Sequence, residues 1–427
     1  MGFQQGLSGL NAASQQLSVI GNNVANASTV GFKQSTAEFA DVYAASLSAS
    51  GGNQIGIGTS VAAVAQQFSQ GNITTTSNTL DMAINGSGFY RMDNNGSISY
   101  SRNGQFQLDQ NGYITNAQGL KLTGYLADAA GNIVAASPAP LQIPTTNLNP
   151  AATTSASLGL NLDSRSTVPA SATFSPTDST SFNNSTSVTI YDSLGNSHVA
   201  TLYFALQSAV PNAVSTAAPT TTAAWNTYLT VDGTAVPAAN TAIGTMGFDS
   251  NGALVYPVAA APLKAGQMSV SVPLTNGATT PQTMTVDFSG SSQYGAAFGV
   301  NSLAQDGYTS GQLSGFSTAA DGTIQGRYSN GQTKNLGQIV LANFSDPQGL
   351  QSQGNNQWVE TYASGAPLVS TPSSGSLGVI QSSAVEDSNV DLTSELVNMI
   401  TAQRTYQANA QTIKTEDQIM QTLVNLR

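Results

Sequence analysis

The chain contains no cysteine, so neither a disulfide framework nor thiolate chemistry is open to it, and its stability has to come from burial or assembly. Charge is scarce: 8% of the 427 residues are Asp, Glu, Lys or Arg, against roughly 25% in ordinary soluble domains. Solubility therefore rests on amides and hydroxyls. Basic residues number 11 against 22 acidic ones, the net charge is -11, and no run of Lys or Arg is interleaved with aromatics. That balance argues against a nucleic-acid partner. The one histidine, His198, lies in a strand-like alternation just after a turn and reads as a surface or hairpin residue, because a triad or metal site would need further ligands. No apolar run approaches the length of a membrane span, and the N-terminus has neither the basic start nor the apolar centre of a secretory signal. A composition of extracellular character without such a signal points to an unconventional export route.

Both ends of the chain carry a helical pattern. Phe3, Leu10, Leu17 and Val24 recur every seven residues, with Leu7, Ser14 and Gly21 at the alternate spacing of a heptad. The outer face is Gln, Asn and Ser, and no charged side chain precedes Lys33, so nothing repels a neighbouring helix. The pattern predicts a helix over residues 2 to about 27, ~39 Å long at 1.5 Å per residue, ending at Ser28-Thr29-Val30-Gly31. At the other end Leu392, Met399, Tyr406, Ile413 and Met420 recur with the same period, and Leu396, Ala410 and Val424 fill part of the alternate seam. Asp391 is the expected N-cap, with Glu395 in the first turn. Such seams commonly dock on the chain's own core, but a shared 3.5-residue period at opposite ends, with uncharged outer faces, favours assembly.

Between these ends the period changes to two. Asn-Gly or Asp-Gly pairs at 85–86, 95–96, 103–104, 111–112, 232–233, 251–252, 306–307, 321–322 and 330–331 tolerate the positive φ of two-residue hairpin turns, so the runs between them read as strands. The stretches at 93–96, 109–112 and 249–252 share an Asp with calcium loops but lack their remaining acidic ligands, and hairpin turns account for them. Residues 34–70 are polar, with breaks at Gly51-Gly52 and Gly56-Ile57-Gly58, and 145–185 and 208–224 resemble long surface connections. The expected fold is α+β and multidomain, with paired terminal coiled-coil helices bracketing mainly β domains, one inserted in the other. Segments 1–30 and 390–427 form the discontinuous helical core, and 31–70 with 360–389 a connector. Segments 71–145 and 290–359 form a first β domain, and 146–289 an inserted outer β domain. No catalytic constellation, cofactor fingerprint or metal-ligand cluster emerges, so an enzyme is not expected.

These residues also resemble a family. "GLSGLNAASQQLSVIGNNVANASTVGFK" (6–33) is similar to the N-terminal signature of the bacterial flagellar axial proteins, the rod, hook and hook-junction group, with Gly21, Asn22, Asn23, Asn26, Gly31 and Phe32 in its motif. "SNVDLTSELVNMITAQRTYQANAQTIKTEDQIMQTLVNLR" (388–427) resembles the paired C-terminal signature. "NTLDMAINGSGFYRM" (78–92) and residues 100–125 are similar to the first β domain of distal rod and hook members, while "VTIYDSLGNSHVATLYF" (188–204) and residues 306–358 resemble the hook branch. The resemblance implies a non-enzymatic structural subunit that polymerises with itself into a curved tube, transmits torque from rod to filament as a universal joint, and leaves a central channel for subunit export. It further implies an extracellular site in the flagellar hook and passage through the type III apparatus without a cleaved signal. Contacts with the distal rod protein, the hook cap protein and the hook–filament junction proteins follow, with no cofactor, nucleic acid or membrane insertion. Its assembly residues would be the seams, Phe3, Leu7, Leu10, Leu17 and Val24 with Leu392, Leu396, Met399, Tyr406, Ile413 and Met420. Another axial component, distal rod or junction, is the alternative, and an extracellular adhesin or glycan-active β protein with coiled ends is a more distant one.

Overall fold

A computed structural model describes residues 2–42, 56–211, 220–238, 240–258 and 262–425. The Gly51-Gly52 break, part of the 208–224 connection and residues 426–427 of the expected C-terminal segment lie outside the described residues. The chain divides into two compact units, one of residues 1–145, 314–327 and 333–427, the other of residues 146–313 and 328–332.

The first unit opens with helix α1 (Gly2–Ala25) and closes with helix α2 (Leu392–Asn425). Helix α2 is capped by Asp391, whose Oδ1 accepts the N–H groups of Thr393 at 2.9 Å and Ser394 at 3.2 Å, two donors otherwise left without an intrahelical partner. The stretches expected as connectors carry strands. β1 (Ser35–Val42) and β2 (Gly58–Gln66) pair antiparallel, while Leu368–Ser370, Val379–Ser382 and Ala384–Glu386 pair with Leu341–Asn343, Met82–Asn85 and Ile73–Thr75. Residues 368–386 are thus tied by ladders to the body of the unit, a pairing that no local pattern announces. Its main sheet runs from Leu313–Thr318 through Thr323–Tyr328, Thr333–Ile339, Lys121–Leu126, Phe89–Asn94, Ser97–Ser101 and Gln357–Val359 to Gln351–Gly354. Beneath it Phe89, Tyr100, Phe344 and Trp358 form an aromatic core joined by Phe68, the ring pairs edge-on at 4.8–5.9 Å.

In the second unit two sheets enclose one core. One holds Ser155–Asp163, Gln267–Val272, Gln282–Asp287, Ser292–Tyr294 and Gly299–Gln305, and the other is built on Asn184–Tyr191, Ser197–Leu206, Ala223–Val231 and Gly244–Phe248. Leu158, Leu160 and Leu162 meet Phe204, Trp225 and Phe248 between them. The boundary expected near 289 falls at 313, because Gly299–Gln305 pairs antiparallel with Ser155–Asp163 and draws residues 290–313 into this unit.

At Asn103-Gly104 and Asp306-Gly307 neither residue has positive φ, so these two pairs are not the hairpin turns expected, while the turns at four of the other pairs are of two kinds. Asn95-Gly96 and Asp232-Gly233 are true two-residue turns with both residues at positive φ, between Asn94 and Ser97 and between Val231 and Thr234. At Asn111-Gly112 and Asn251-Gly252 only the glycine has positive φ, and a preceding aspartate closes a longer loop. Asp109 Oδ1 accepts from the N–H groups of Asn111 and Tyr113, each at 2.8 Å, and Asp249 Oδ1 from those of Asn251 and Ala253, each at 2.9 Å. The carboxylates that gave these stretches the look of ion loops are spent on backbone donors.

Candidate assembly site at the terminal helices

Helix α1 meets α2 along a stripe of small residues. A β-carbon on Gly6 would lie 3.1 Å from Ile413 Cγ1 and one on Gly9 2.8 Å from the Asn409 side chain, while Gly2 faces Glu416. Further along the same face of α1, Ala13, Ile20 and Asn23 are buried. Small residues bring the two backbones close, since interaxial distance follows the side chains at the contact. This stripe keeps the heptad period but stands one residue ahead of the seam read from sequence. That seam is turned about 100° round the helix at 3.6 residues per turn: Phe3 is 50% and Leu7 43% exposed, and Leu10, Leu17 and Val24 are half-buried. In α2 Ile413 faces α1 and Met399 is half-buried, whereas Leu392, Leu396, Tyr406 and Met420 are exposed, together with Val397, Ile400 and Ile419. The seam residues therefore do not all meet within one chain. Their period was legible, whereas the face that α2 covers was not.

At its C-terminal end α1 is fastened by the motif residues. Asn23, 1% exposed, donates through Nδ2 to Ser35 O at 2.8 Å and accepts Ser35 N–H at 3.0 Å, which pins the strand that follows to the helix. The same Nδ2 lies 3.2 Å from Glu395 Oε2, and Gln34 Nε2 donates to Glu395 Oε1 at 2.8 Å, so the first turn of α2 is held to the last turn of α1. Asn389 accepts Gln34 N–H at 2.7 Å and donates to Gln67 O at 2.8 Å, joining both termini to β2. Asn26 donates to Asn22 O at 2.9 Å and closes the end of the helix. Phe32 is buried, and Gly21 has open space where a side chain would stand.

Beyond this clamp lies a buried ion triad. Lys33 Nζ is 2.6 Å from Glu386 Oε1 and Arg102 Nη1 is 3.2 Å from Glu386 Oε2, with the Lys33 and Glu386 side chains wholly inaccessible. Ser69 O accepts from Lys33 Nζ at 2.7 Å, Gly86 O accepts from Arg102 Nη2 at 2.9 Å, and Gly71 N–H donates to Glu386 Oε1 at 2.9 Å. Burial pulls the lysine ammonium below its ordinary range, with Glu386 opposing and Arg102 reinforcing that pull. Gly31, at φ 71°, donates its N–H to Glu386 O at 2.8 Å. Sequence reading singled out Lys33 only as the first charge of the chain. A charge inside a nearly uncharged signature was the available signal, and nothing in sequence joined it to residues 102 and 386.

His198 proves to be more than a hairpin residue. Its Nδ1 is 2.6 Å from Asp232 Oδ2 and its Nε2 3.3 Å from Asp192 Oδ2, so the ring bridges two turns of the second unit. Burial works against the imidazolium, but the hydrogen bonds to the two carboxylates outweigh it and raise the histidine above its ordinary value of 6.5, while both aspartates are lowered. The stabilisation from His198 is fully present below its unfolded-state value and is lost as pH rises through the raised one. The stabilisation from the aspartates is lost as pH falls through their lowered values. A proton NMR titration of His198 should give a midpoint above 6.5, brought down by Asp232→Asn. A midpoint at or below that value would contradict the bridge. Among the described residues no group of three or more acidic or histidine side chains is placed to hold a metal, and no described helix is long and apolar enough to cross a membrane.

Comparison with known proteins agrees with this architecture. Residues 3–33 match the model of the flagella basal body rod protein, and 381–426 that of the flagellar basal body rod FlgEFG protein C-terminal region. Residues 83–190 match the flagellar hook protein FlgE/F/G D1 domain and 161–308 the flagellar basal body protein FlaE D2 domain. The flagellar hook protein FlgE of Salmonella typhimurium is 45% identical and that of Escherichia coli 43% identical, each over the whole of both chains. That of Borreliella burgdorferi is 30% identical over 99% of this chain and 98% of its own. A crystal structure of Helicobacter pylori flagellar hook protein FlgE2 shares the fold with a TM-score of 0.51 at 15% identity, covering 72% of this chain and 99% of that one. Matched end to end by these relatives, the chain belongs to the bacterial flagellar hook protein family.

Proposed function

We propose that this chain is the subunit of the curved tubular flagellar hook, a flexible universal joint that transmits torque from rod to filament and encloses a channel for subunit export. The observation that carries this reading is the apolar surface left exposed on α1 and α2, with Phe3 and Leu7 on one helix and Leu392, Leu396, Val397, Ile400 and Met420 on the other. Each such side chain contributes roughly 1.5–3 kcal/mol when fully buried, so helices of neighbouring subunits have a strong reason to cover them. A chain with only 8% charged residues suits contacts that lengthen and shorten as the tube rotates while bent, because exchangeable amide and hydroxyl contacts carry no desolvated ion pair. With no cysteine in the chain, no disulfide or thiol-derived cross-link can join the subunits. The distal rod, hook cap and junction proteins would meet the same terminal helices, and the type III apparatus would export the chain without cleaving a signal.

The test is electron microscopy of the purified chain under seeded, high-salt conditions, beside a truncation lacking residues 1–30 and 390–427. Curved tubes from the full chain and none from the truncation are expected. Short straight rods would point to a rod or junction component instead, and a truncation that still polymerised would remove the terminal helices from the assembly site.

A further inference from the structure

Seven Asn-Gly pairs occur in the chain, and in five of them the glycine N–H is already donated to an acceptor, which opposes attack by that nitrogen on the asparagine side chain. The N–H groups of Gly86, Gly96, Gly112, Gly252 and Gly331 are each donated to an acceptor at 2.9–3.1 Å. Gly104 N–H makes no hydrogen bond among the described residues and Gln105 N–H donates to Asn103 Oδ1 at 3.0 Å, but this glycine is packed in, its carbonyl accepting Met82 N–H at 2.9 Å and the Met82 carbonyl lying against its α-carbon. The seventh pair, Asn276-Gly277, differs from those five in its glycine N–H and from Asn103-Gly104 in its open setting. Gly277 sits at φ 87° with open space around it, and its N–H makes no hydrogen bond among the described residues.

The surroundings of Asn276 are those of a reaction site. Ala278 N–H donates to Asn276 Oδ1 at 3.2 Å, where it polarises the carbonyl and would meet an oxyanion. The side-chain Nδ2 donates to Asp192 Oδ2 at 2.5 Å and lies 3.5 Å from His198 Nε2. The loop is held in place on both sides, Thr279 N–H donating to Ser193 Oγ at 2.9 Å and Leu274 N–H to Thr280 Oγ1 at 3.0 Å.

We propose that Asn276 is a site of self-catalysed deamidation, in which Gly277 N is the nucleophile and His198 the acid that protonates the departing amine. Gly277 N loses its proton to solvent and bonds to Asn276 Cγ. The Cγ–Nδ2 bond breaks, Nδ2 takes a proton from the imidazolium, and ammonia leaves a five-membered imide. Water then opens the imide to aspartate or isoaspartate, and the imidazole regains its proton from solvent, so one water is consumed and one ammonia released. The intramolecular nucleophile and the positioned acid supply the rate. The product carboxylate faces Asp192 and Asp232 around one histidine, and their repulsion releases loop 273–281 from the turn at 192–196.

The full-length chain is incubated at neutral pH, folded or in urea, and conversion at each Asn-Gly pair is followed by peptide-mapping mass spectrometry. In urea all seven pairs should react at similar rates, and in the folded chain Asn276 should lead the exposed Asn95 by at least about tenfold. His198→Gln should erase most of that lead, short of the ~10²-fold usual for a well-aligned acid because the 3.5 Å contact is long. Asp232→Asn, which removes one of the two carboxylates holding the imidazolium, should reduce it less. If His198→Gln does not fold by circular dichroism, Asp232→Asn decides. A folded chain in which Asn95 reacts as fast as Asn276, or a lead that survives these substitutions in folded protein, overturns the proposal.

Discussion

Replacing Glu386 by alanine is expected to cost the first unit roughly 3–5 kcal/mol, the range for removing one member of a buried ion pair. Lys33 and Arg102 would be left as two cations in an inaccessible site, 2.6 and 3.2 Å from where the carboxylate stood. Gly71 N–H would lose its acceptor as well. Lys33→Met with Glu386→Met should be milder than Glu386→Ala, since only Arg102 then remains and it keeps Gly86 O as an acceptor. The chain has two tryptophans, Trp225 in the second unit and Trp358 in the core of the first, so a Trp225→Phe background makes fluorescence report the first unit during urea unfolding. A loss below about 1 kcal/mol, the value of an exposed pair, would mean that the triad is not buried in solution.

The second large effect is expected at Gly31, with Gly21 as its opposite. A β-carbon on Gly31 would stand 2.6 Å from Asn103 N, a backbone atom that cannot swing aside, and the residue holds φ at 71°. The left-handed conformation alone costs a non-glycine residue roughly 1–2 kcal/mol. With the backbone clash added, Gly31→Ala should destabilise by about 2–4 kcal/mol and disturb the bond from Gly31 N–H to Glu386 O. Gly21 lies inside α1 with nothing within 4 Å of its added carbon, so Gly21→Ala should stabilise by about 0.5–1 kcal/mol through helix propensity alone. Urea unfolding of the two variants side by side gives the test, and equal effects would show that position in the motif, not backbone geometry, governs these glycines.

Both variants bear on how the terminal signatures work. Much of the N-terminal motif reaches past α2: Asn23 ties α1 to Ser35 as well as to Glu395 of α2, Gly31 lets the chain turn against Asn103, and Lys33 reaches Glu386. These contacts fasten α1 and the start of α2 to the strands of the first unit.

The sequence by itself determined the heptad period at each end, the Asp391 cap, the β middle, and the turns at Asn95-Gly96 and Asp232-Gly233, because each depends on residues within one or two turns of chain. Only the tertiary structure decided which stripe of α1 is covered. Phe3, Leu7 and Leu10 are the more apolar choice, yet Gly6, Gly9 and Ala13 let the backbones come close, and a period is a property of one helix while the covered face belongs to a pair. It also decided that residues 290–313 close the second unit, that His198 bridges Asp192 and Asp232, and that Lys33 finds Glu386 more than 350 residues away. These contacts depend on strand pairing and burial across long separations, where neither propensity nor spacing carries information about the partner.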